Sequence, residues 1–167
     1  MSTPDIFLIG PEGSGHHMMR RLLLWHPDVE RTLGSSYPHG IPEKCEYPNL
    51  LECDPQTTVA LFLCRDHTCQ RASIHRRNFP QERARILRKA AWEFNSPMHV
   101  MTVIEAQLDA WQGRVVWCSY ETMVMWRARY LRHILIQLGL DPDKYPYDKV
   151  AIKDANAKYW NDIHVQE

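Results

Sequence analysis

The sequence lacks an excess of charge of either sign, and it lacks long apolar runs. Lysine and arginine together number 20, aspartate and glutamate also number 20, and the formal net charge at pH 7 is zero. A chain with balanced charge does not draw duplex DNA or an anionic membrane through bulk electrostatic attraction. No apolar run approaches the roughly 20 residues that a membrane-spanning helix requires. From composition we therefore expect neither nucleic acid nor a membrane as a partner.

The cysteines also lack the spacing of a metal or redox pair. The five cysteines are odd in number, and no two form a Cys-x-x-Cys pair. The N-terminal segment carries an acid and no basic flank, so it does not resemble a secretion signal. Cys64 and Cys69 lie close together, but no second ligand pair has zinc spacing, and Cys64 ends an apolar run in which a buried thiol is common. We expect reduced thiols in a cytoplasmic protein, and no metal.

The composition is that of one globular domain. Of the 167 residues, 44% are hydrophobic and 24% are charged, which is ordinary usage for a folded chain. We therefore predict a single domain over residues 1–167. The basic residues are concentrated: residues 65–89 hold eight of them and only two acids. For 83–89 this indicates either a solvated helix face or a binding surface, whereas for 65–77 it favours an anion site.

Apolar runs alternate with helical patterns along the chain. Continuous apolar runs predict buried parallel strands over 5–9, 58–64 and 114–119. Helical spacing predicts helices over 17–25, 81–94, 98–112 and 121–138, with Gly139 as a C-terminal cap, a helix or turn over 68–77 and a short helix over 147–155. Residues 34–56 are predicted to form a long functional loop. The pattern predicts an α/β fold with a central parallel sheet flanked by helices.

The aromatic and methionine residues within these elements are expected to pack in the core rather than to form a binding surface. The residues concerned are Trp92, Trp111, Trp117, Trp126, Met98, Met101, Met123 and Met125.

A glycine-rich loop joins the first predicted strand to the first helix. Gly10 and Gly15 are separated by four residues, which is the length of the phosphate-binding loop of nucleotide-binding proteins. Glycines let such a loop turn its amides toward a phosphate, and the helix that follows adds its positive N-terminal end. The alternative is a tight turn without a ligand. With the alternating elements, this loop predicts a three-layer P-loop nucleotide-binding fold.

The loop differs from that of ATPases and kinases. Those proteins place Lys and then Ser or Thr after the second glycine, whereas this chain has His16 and His17. It therefore provides neither a lysine for a γ-phosphate nor a hydroxyl for magnesium. A nucleotide bound without a metal is the better expectation.

Three segments, in the same order, resemble the sulfotransferases that use 3′-phosphoadenosine-5′-phosphosulfate (PAPS). The loop is similar to that family's phosphosulfate loop at Gly10, Ser14 and Gly15, with histidines in place of two threonines and Gly13 in place of a basic residue. Residues 61–73 are similar to its 3′-phosphate motif, and residues 115–123 to its strand that ends in Tyr-Glu-Asp. The likeness covers roughly residues 5–142, and the late Arg-Lys-Gly clamp is missing.

The resemblance implies a role for each matching residue. The phosphosulfate would be cradled by the amides of 13–17 with Ser14, His16 and His17, and His16 would also protonate the leaving oxygen. The 3′-phosphate would bind Arg65 and Ser73, unless Arg65 instead pairs with a carboxylate of Asp66 or Glu121. Tyr120 would lie near the adenine. The missing clamp would be supplied by Lys153, Lys158, Arg76 or Arg77.

A catalytic base is predicted at His39. It lies in the 34–56 loop, in a stretch similar to the one that holds the family's catalytic histidine, and histidine accepts a proton near neutral pH. Each of the three histidines also has an alternative without a ligand. His39 would only cap a turn, His16 would cap the helix, and His17 would face solvent.

The function implied is an enzyme that transfers a sulfuryl group from PAPS, releasing the bisphosphate PAP, to a hydroxyl or amine of a small-molecule or glycan acceptor. The alternatives are a kinase-like protein for small molecules or nucleosides and a non-catalytic nucleotide-binding protein on the same fold.

Overall fold

The computed structural model describes residues 3–10, 13–30, 32–34, 50–66, 69, 97–154 and 156–157. The predictions for 81–94, for 68–77 apart from residue 69, and for residues 35–49 of the long loop lie outside these ranges. So do those for His39, Ser73, Arg76, Arg77 and Trp92. Within them, no helix has both the length and the apolar character needed to cross a membrane.

Four parallel strands form one sheet in the order β2-β1-β3-β4. Their bounds are Asp5–Ile9 for β1, Thr32–Gly34 for β2, Thr58–Cys64 for β3 and Arg114–Ser119 for β4. The sequence predicted β1, β3 and β4 at these bounds because each is a continuous or nearly continuous apolar run. It did not predict β2, since a strand of three residues shows no periodicity. The α/β fold with a parallel sheet is confirmed.

Helices cover both faces of the sheet because alternate strand residues point to opposite sides. Their bounds are His16–Leu23 for α1, Pro97–Ala110 for α2 and Tyr120–Leu138 for α3. On one face, Ile6 and Leu8 of β1 share an apolar core with α1 and α3. On the other face, Phe7 and Ile9 pack in a second core with Ile104 of α2 and with the short 3-10 helix Leu50–Glu52.

The helix ends differ from the predictions by one or two residues. α1 begins at His16 and ends at Leu23, and α2 ends at Ala110 rather than at residue 112. α3 begins at Tyr120, where the side chain of Ser119 accepts a hydrogen bond from the amide of Thr122 at 3.2 Å. Its end is as predicted: Gly139 has a φ of 81°, the left-handed conformation that glycine adopts at helix C-termini.

The segment after α3 contains two 3-10 turns in place of the short helix predicted over 147–155. These are Pro142–Lys144 and Tyr147–Lys149, and residues 151–154 have no regular structure. The segment packs against the end of α1: the Tyr145 hydroxyl donates to the Leu22 carbonyl at 2.8 Å, and the Nε2 atom of His26 lies 2.8 Å from the Asp141 carbonyl. Contacts so distant in sequence leave no local pattern.

The expectation of a core position is wrong for three of the aromatic and methionine residues. Trp111 and Met123 are buried, but Trp117 is 59% exposed, Trp126 49% and Met125 75%. Trp117 lies on β4, the last strand in the sheet order given above, and its ring contacts that of Phe62 with the centroids 4.6 Å apart. Met125 follows the buried Met123 by two residues, a rotation of about 200° that turns it away from the sheet. Trp126 is half-exposed directly before Arg127, whose φ of 46° and ψ of −122° are not helical.

Candidate functional site

The candidate site lies where the paired strands end. Ile9 of β1 pairs with Phe62 of β3, and Cys64 of β3 pairs with Ser119 of β4. Because all the strands are parallel, the residues that follow them emerge at one edge of the sheet, which is where ligands bind in folds of this class. The three segments in question are the loop after β1, the residues after β3 and the start of α3.

Two glycines of the loop are required by close contacts. Gly10 has a φ of 155°, and a Cβ atom there would lie 2.5 Å from the Leu63 carbonyl oxygen. Gly15 has a φ of 102°, and a Cβ atom there would lie 2.8 Å from the ring of Tyr120. Both the backbone conformations and the contacts exclude larger side chains. The loop is therefore packed closely against the ends of β3 and β4.

The polar side chains of the loop fall into two groups. Ser14 and His16 are buried, whereas His17 is exposed on α1. Gly15 is the residue at the N-cap, and no side chain caps the helix there, so the alternative in which His16 serves as the cap is wrong. His16 instead occupies the first position of α1, with its ring near Gly10.

Arg65 joins the three segments. Its Nη1 atom donates to the Gly13 carbonyl at 2.8 Å, its Nε atom donates to Oδ1 of Asn156 at 2.8 Å, and its Nη2 atom donates to the same oxygen. The guanidinium lies over the ring of Tyr120, 4.3 Å from the centroid. These three hydrogen bonds end on neutral oxygens. A permanent positive charge is thus fixed beside the loop.

Glu121 connects the same elements from the other side. Its Oε1 atom accepts hydrogen bonds from the Asp66 amide at 3.0 Å and from Nδ2 of Asn156 at 3.2 Å. Its Oε2 atom lies 3.5 Å from the Ser119 hydroxyl. The carboxylate therefore ties the end of β3 to the start of α3 and to the C-terminal segment.

Asn156 is a site residue that sequence reasoning missed. It is 4% exposed and lies 91 positions after Arg65, so no local spacing could have indicated the contact. The clamp predicted in this segment was a cation: Lys153 is exposed, and Lys158 lies outside the described residues. The group that reaches Arg65 from this segment is an amide.

Tyr120 lies at the same edge of the sheet. It is buried, with Gly15 against its ring and the Arg65 guanidinium over that ring. The resemblance implies that the adenine binds close to this residue.

The two buried cysteines that the structure describes keep their protons at neutral pH. Burial raises the pKa of Cys118 to about 12, and burial, followed by a hydrogen bond to Asp66, raises the pKa of Cys69 to about 11. Within the described ranges, no group of His, Cys, Asp and Glu side chains has the arrangement of a metal site.

Comparisons with known proteins add no assignment. No family model, no curated protein and no solved structure matches the chain. Function must therefore be inferred from the residues and their geometry.

Proposed function

We propose that this protein binds PAPS and transfers its sulfuryl group to a hydroxyl or amine of a small-molecule or glycan acceptor. One observation carries the proposal: the three segments that resemble the sulfotransferases lie in contact. Arg65 touches both Gly13 of the loop and Tyr120 of α3, and Gly15 packs on Tyr120. The three sequence motifs are far apart along the chain, and a shared ligand gives a reason for their meeting at one sheet edge.

The loop and α1 would hold the 5′-phosphosulfate. The loop opens directly into a helix N-terminus, and the buried Ser14 and His16 lie beside it. Gly13 supplies no charge where the resembling family has a basic residue. The Arg65 guanidinium supplies a positive charge 2.8 Å from the Gly13 carbonyl, so the loop is not without a cation. With helices on both faces of the sheet, this arrangement supports the finer assignment to the three-layer P-loop nucleotide-binding folds.

The 3′-phosphate would bind at Arg65, with Ser73 as its sequence-predicted companion. A planar guanidinium at the end of a buried strand is suited to bidentate phosphate recognition. Tyr120 would contact the adenine. Histidines at the two positions where ATPases have Lys and Ser or Thr argue for a nucleotide bound without magnesium.

The transfer itself needs a base, and we assign that role to His39 from the sequence. The acceptor atom forms a bond to sulfur while the bond from sulfur to the bridging phosphate oxygen breaks. The bonding electron pair stays on that oxygen, and His39 takes the proton that the acceptor loses. His16, at the first position of α1, would donate a hydrogen bond to the leaving oxygen.

A non-catalytic nucleotide-binding protein is the second candidate. It is favoured by Gly13, which stands where the loop of the resembling family has a basic residue. This candidate shares the binding site with the first and differs only in turnover.

Calorimetry with adenosine 3′,5′-bisphosphate tests the binding site. Replacing Arg65 by Ala should weaken binding about tenfold or more, because a hydrogen bond to a charged group contributes about 1.5–3 kcal/mol. Arg129→Ala is the matched control: Arg129 is an exposed arginine of α3 that lies over Trp126. Equal affinities of the two variants would contradict the assignment of Arg65.

Transfer of ³⁵S from PAPS to a panel of hydroxyl and amine acceptors separates the two candidates. For an enzyme, His39→Ala should lose transfer while it still binds adenosine 3′,5′-bisphosphate. Normal transfer by His39→Ala would show that the base lies elsewhere. Tight nucleotide binding by the wild-type protein without transfer to any acceptor would favour the binding protein.

A further inference from the structure

Asn156 occupies one side of the Arg65 guanidinium. A single oxygen, Oδ1, accepts from both Nε and Nη2, while Nη1 is turned to the Gly13 carbonyl. The side that carries Nε and Nη2 is one of the two on which arginine binds phosphate or carboxylate oxygens in a bidentate manner. An anion can use that side only after the Asn156 oxygen has left it.

We propose that Asn156 is a specificity-determining residue that competes with the nucleotide's 3′-phosphate for Arg65. This inference rests on the proposed function, since it concerns the same arginine. The amide is neutral and the phosphate carries a full negative charge, so the phosphate forms the stronger hydrogen bonds with a guanidinium. A ligand with a phosphate at this position displaces Asn156, and a ligand without one leaves it in place.

Displacement would leave the remaining side chains with partners. Glu121 would keep the Asp66 amide at 3.0 Å and the nearby Ser119 hydroxyl. Arg65 would keep the Gly13 carbonyl and the face of Tyr120, so its guanidinium would stay at the loop. The site therefore does not need Asn156 to hold its shape.

Displacement requires the Asn156 side chain to turn away from Arg65, and it does not require the whole segment to open. Residues 151–154 have no regular structure; Ile152 packs against the core, whereas Ala151, Lys153 and Asp154 are exposed. The backbone amide of Asn156 donates to the Asp154 carboxylate at 2.7 Å, and this contact does not involve the side-chain oxygen that would leave Arg65.

The consequence is a selective effect on affinity. Asn156 lowers the affinity for adenosine 3′,5′-bisphosphate, because part of the binding free energy is used to displace it. It leaves the affinity for AMP unchanged, because AMP has no 3′-phosphate. A residue with a merely structural role would affect both nucleotides alike.

The test is calorimetry of both nucleotides with the wild-type protein, Asn156→Ala and the control Lys149→Ala, whose side chain is exposed a few residues before this segment. We expect Asn156→Ala to bind adenosine 3′,5′-bisphosphate at least about fivefold more tightly than the wild type, with AMP affinity unchanged. Lys149→Ala should not change the ratio of the two affinities. Asn156→Ser, whose side chain is too short to reach both Nε and Nη2, is the second variant should the alanine variant fold poorly.

The outcomes separate this inference from the proposed function. If the wild type binds the bisphosphate and neither Asn156 variant binds it more tightly, the competition proposal fails while the proposed function stands. If neither the wild type nor the variants bind it, both fail. Detectable binding only after the loss of Asn156 would support both.

Discussion

At the residue scale, the candidate site depends on glycines, because a side chain at these positions would collide with neighbouring residues. Gly15 allows the loop to lie against the ring of Tyr120, and Tyr120 in turn lies under the Arg65 guanidinium. A change at one of these positions is therefore transmitted to the other two. The glycine pattern was visible in the sequence, but the ring it accommodates was not, because Tyr120 lies more than a hundred residues later in the chain.

Gly15→Ala should destabilise the protein more than Gly139→Ala does. Both glycines have a positive φ, 102° and 81°, so both substitutions introduce backbone strain of about 1–3 kcal/mol. At Gly139 the new methyl group meets only the flexible end of Arg114, at 3.3 Å, whereas at Gly15 it meets the buried Tyr120 ring at 2.8 Å. Urea denaturation should therefore show the lower midpoint for Gly15→Ala, at an unchanged slope. Equal midpoints would contradict the packing of the loop on Tyr120.

At the element scale, α3 contains a break. Arg127 has φ 46° and ψ −122°, inside an otherwise helical segment. These angles are close to those of the first central position of a type II′ turn. Glycine is favoured at that position, because a residue with a Cβ atom, such as arginine, is strained there. The exposed Met125 and Trp126 lie directly before this break, and the buried Leu131 follows it. The sequence predicted one uninterrupted helix, since nothing in its spacing marks the interruption.

Arg127→Gly should raise the free energy of unfolding by about 1 kcal/mol, because relief of backbone strain exceeds the usual cost of glycine in a helix. Arg129→Gly, two positions later in helical backbone, should lower it by about 1 kcal/mol. Thermal unfolding of the two variants beside the wild type measures the difference. Destabilisation of the same size in both would show that residue 127 is helical in solution.

Strands proved more predictable than helix ends. The bounds of β1, β3 and β4 were visible because burial on both faces demands continuous apolar residues. β2 is too short to show a pattern, and the ends of α1 and α2 depend on capping and packing contacts rather than on composition.

At the scale of the whole molecule, the C-terminal segment holds distant parts together. It contacts the end of α1 through Tyr145 and His26, and it contacts the candidate site through Asn156. The sequence predicted that Arg65, the loop and Tyr120 belong to one site, and the structure places them in contact. It did not predict Asn156, because a contact across 91 residues follows from the path of the chain and not from any motif.

Tyr145→Phe should lower the free energy of unfolding by about 1 kcal/mol. Burial raises the pKa of the Tyr145 phenol above its ordinary value, so the hydroxyl stays protonated and donates to the Leu22 carbonyl at 2.8 Å. Removing it leaves that buried contact unmade. Lys144→Ala is the contrast: Lys144 pairs with Asp28 across the same junction, but the ion pair is solvent-exposed and should matter less. Chemical denaturation checks both, and a larger loss for Lys144→Ala would reverse this account of the junction.

We propose that the edge of the sheet at Gly13, Arg65 and Tyr120 binds a nucleotide through its 3′-phosphate and without a metal. Calorimetry tests this by comparing the binding of adenosine 3′,5′-bisphosphate and of ADP to the wild-type protein, each with and without magnesium. We expect the bisphosphate to bind about tenfold or more tightly than ADP, and magnesium to change neither affinity. No binding of the bisphosphate, or equal binding of ADP that requires magnesium, would contradict the proposal.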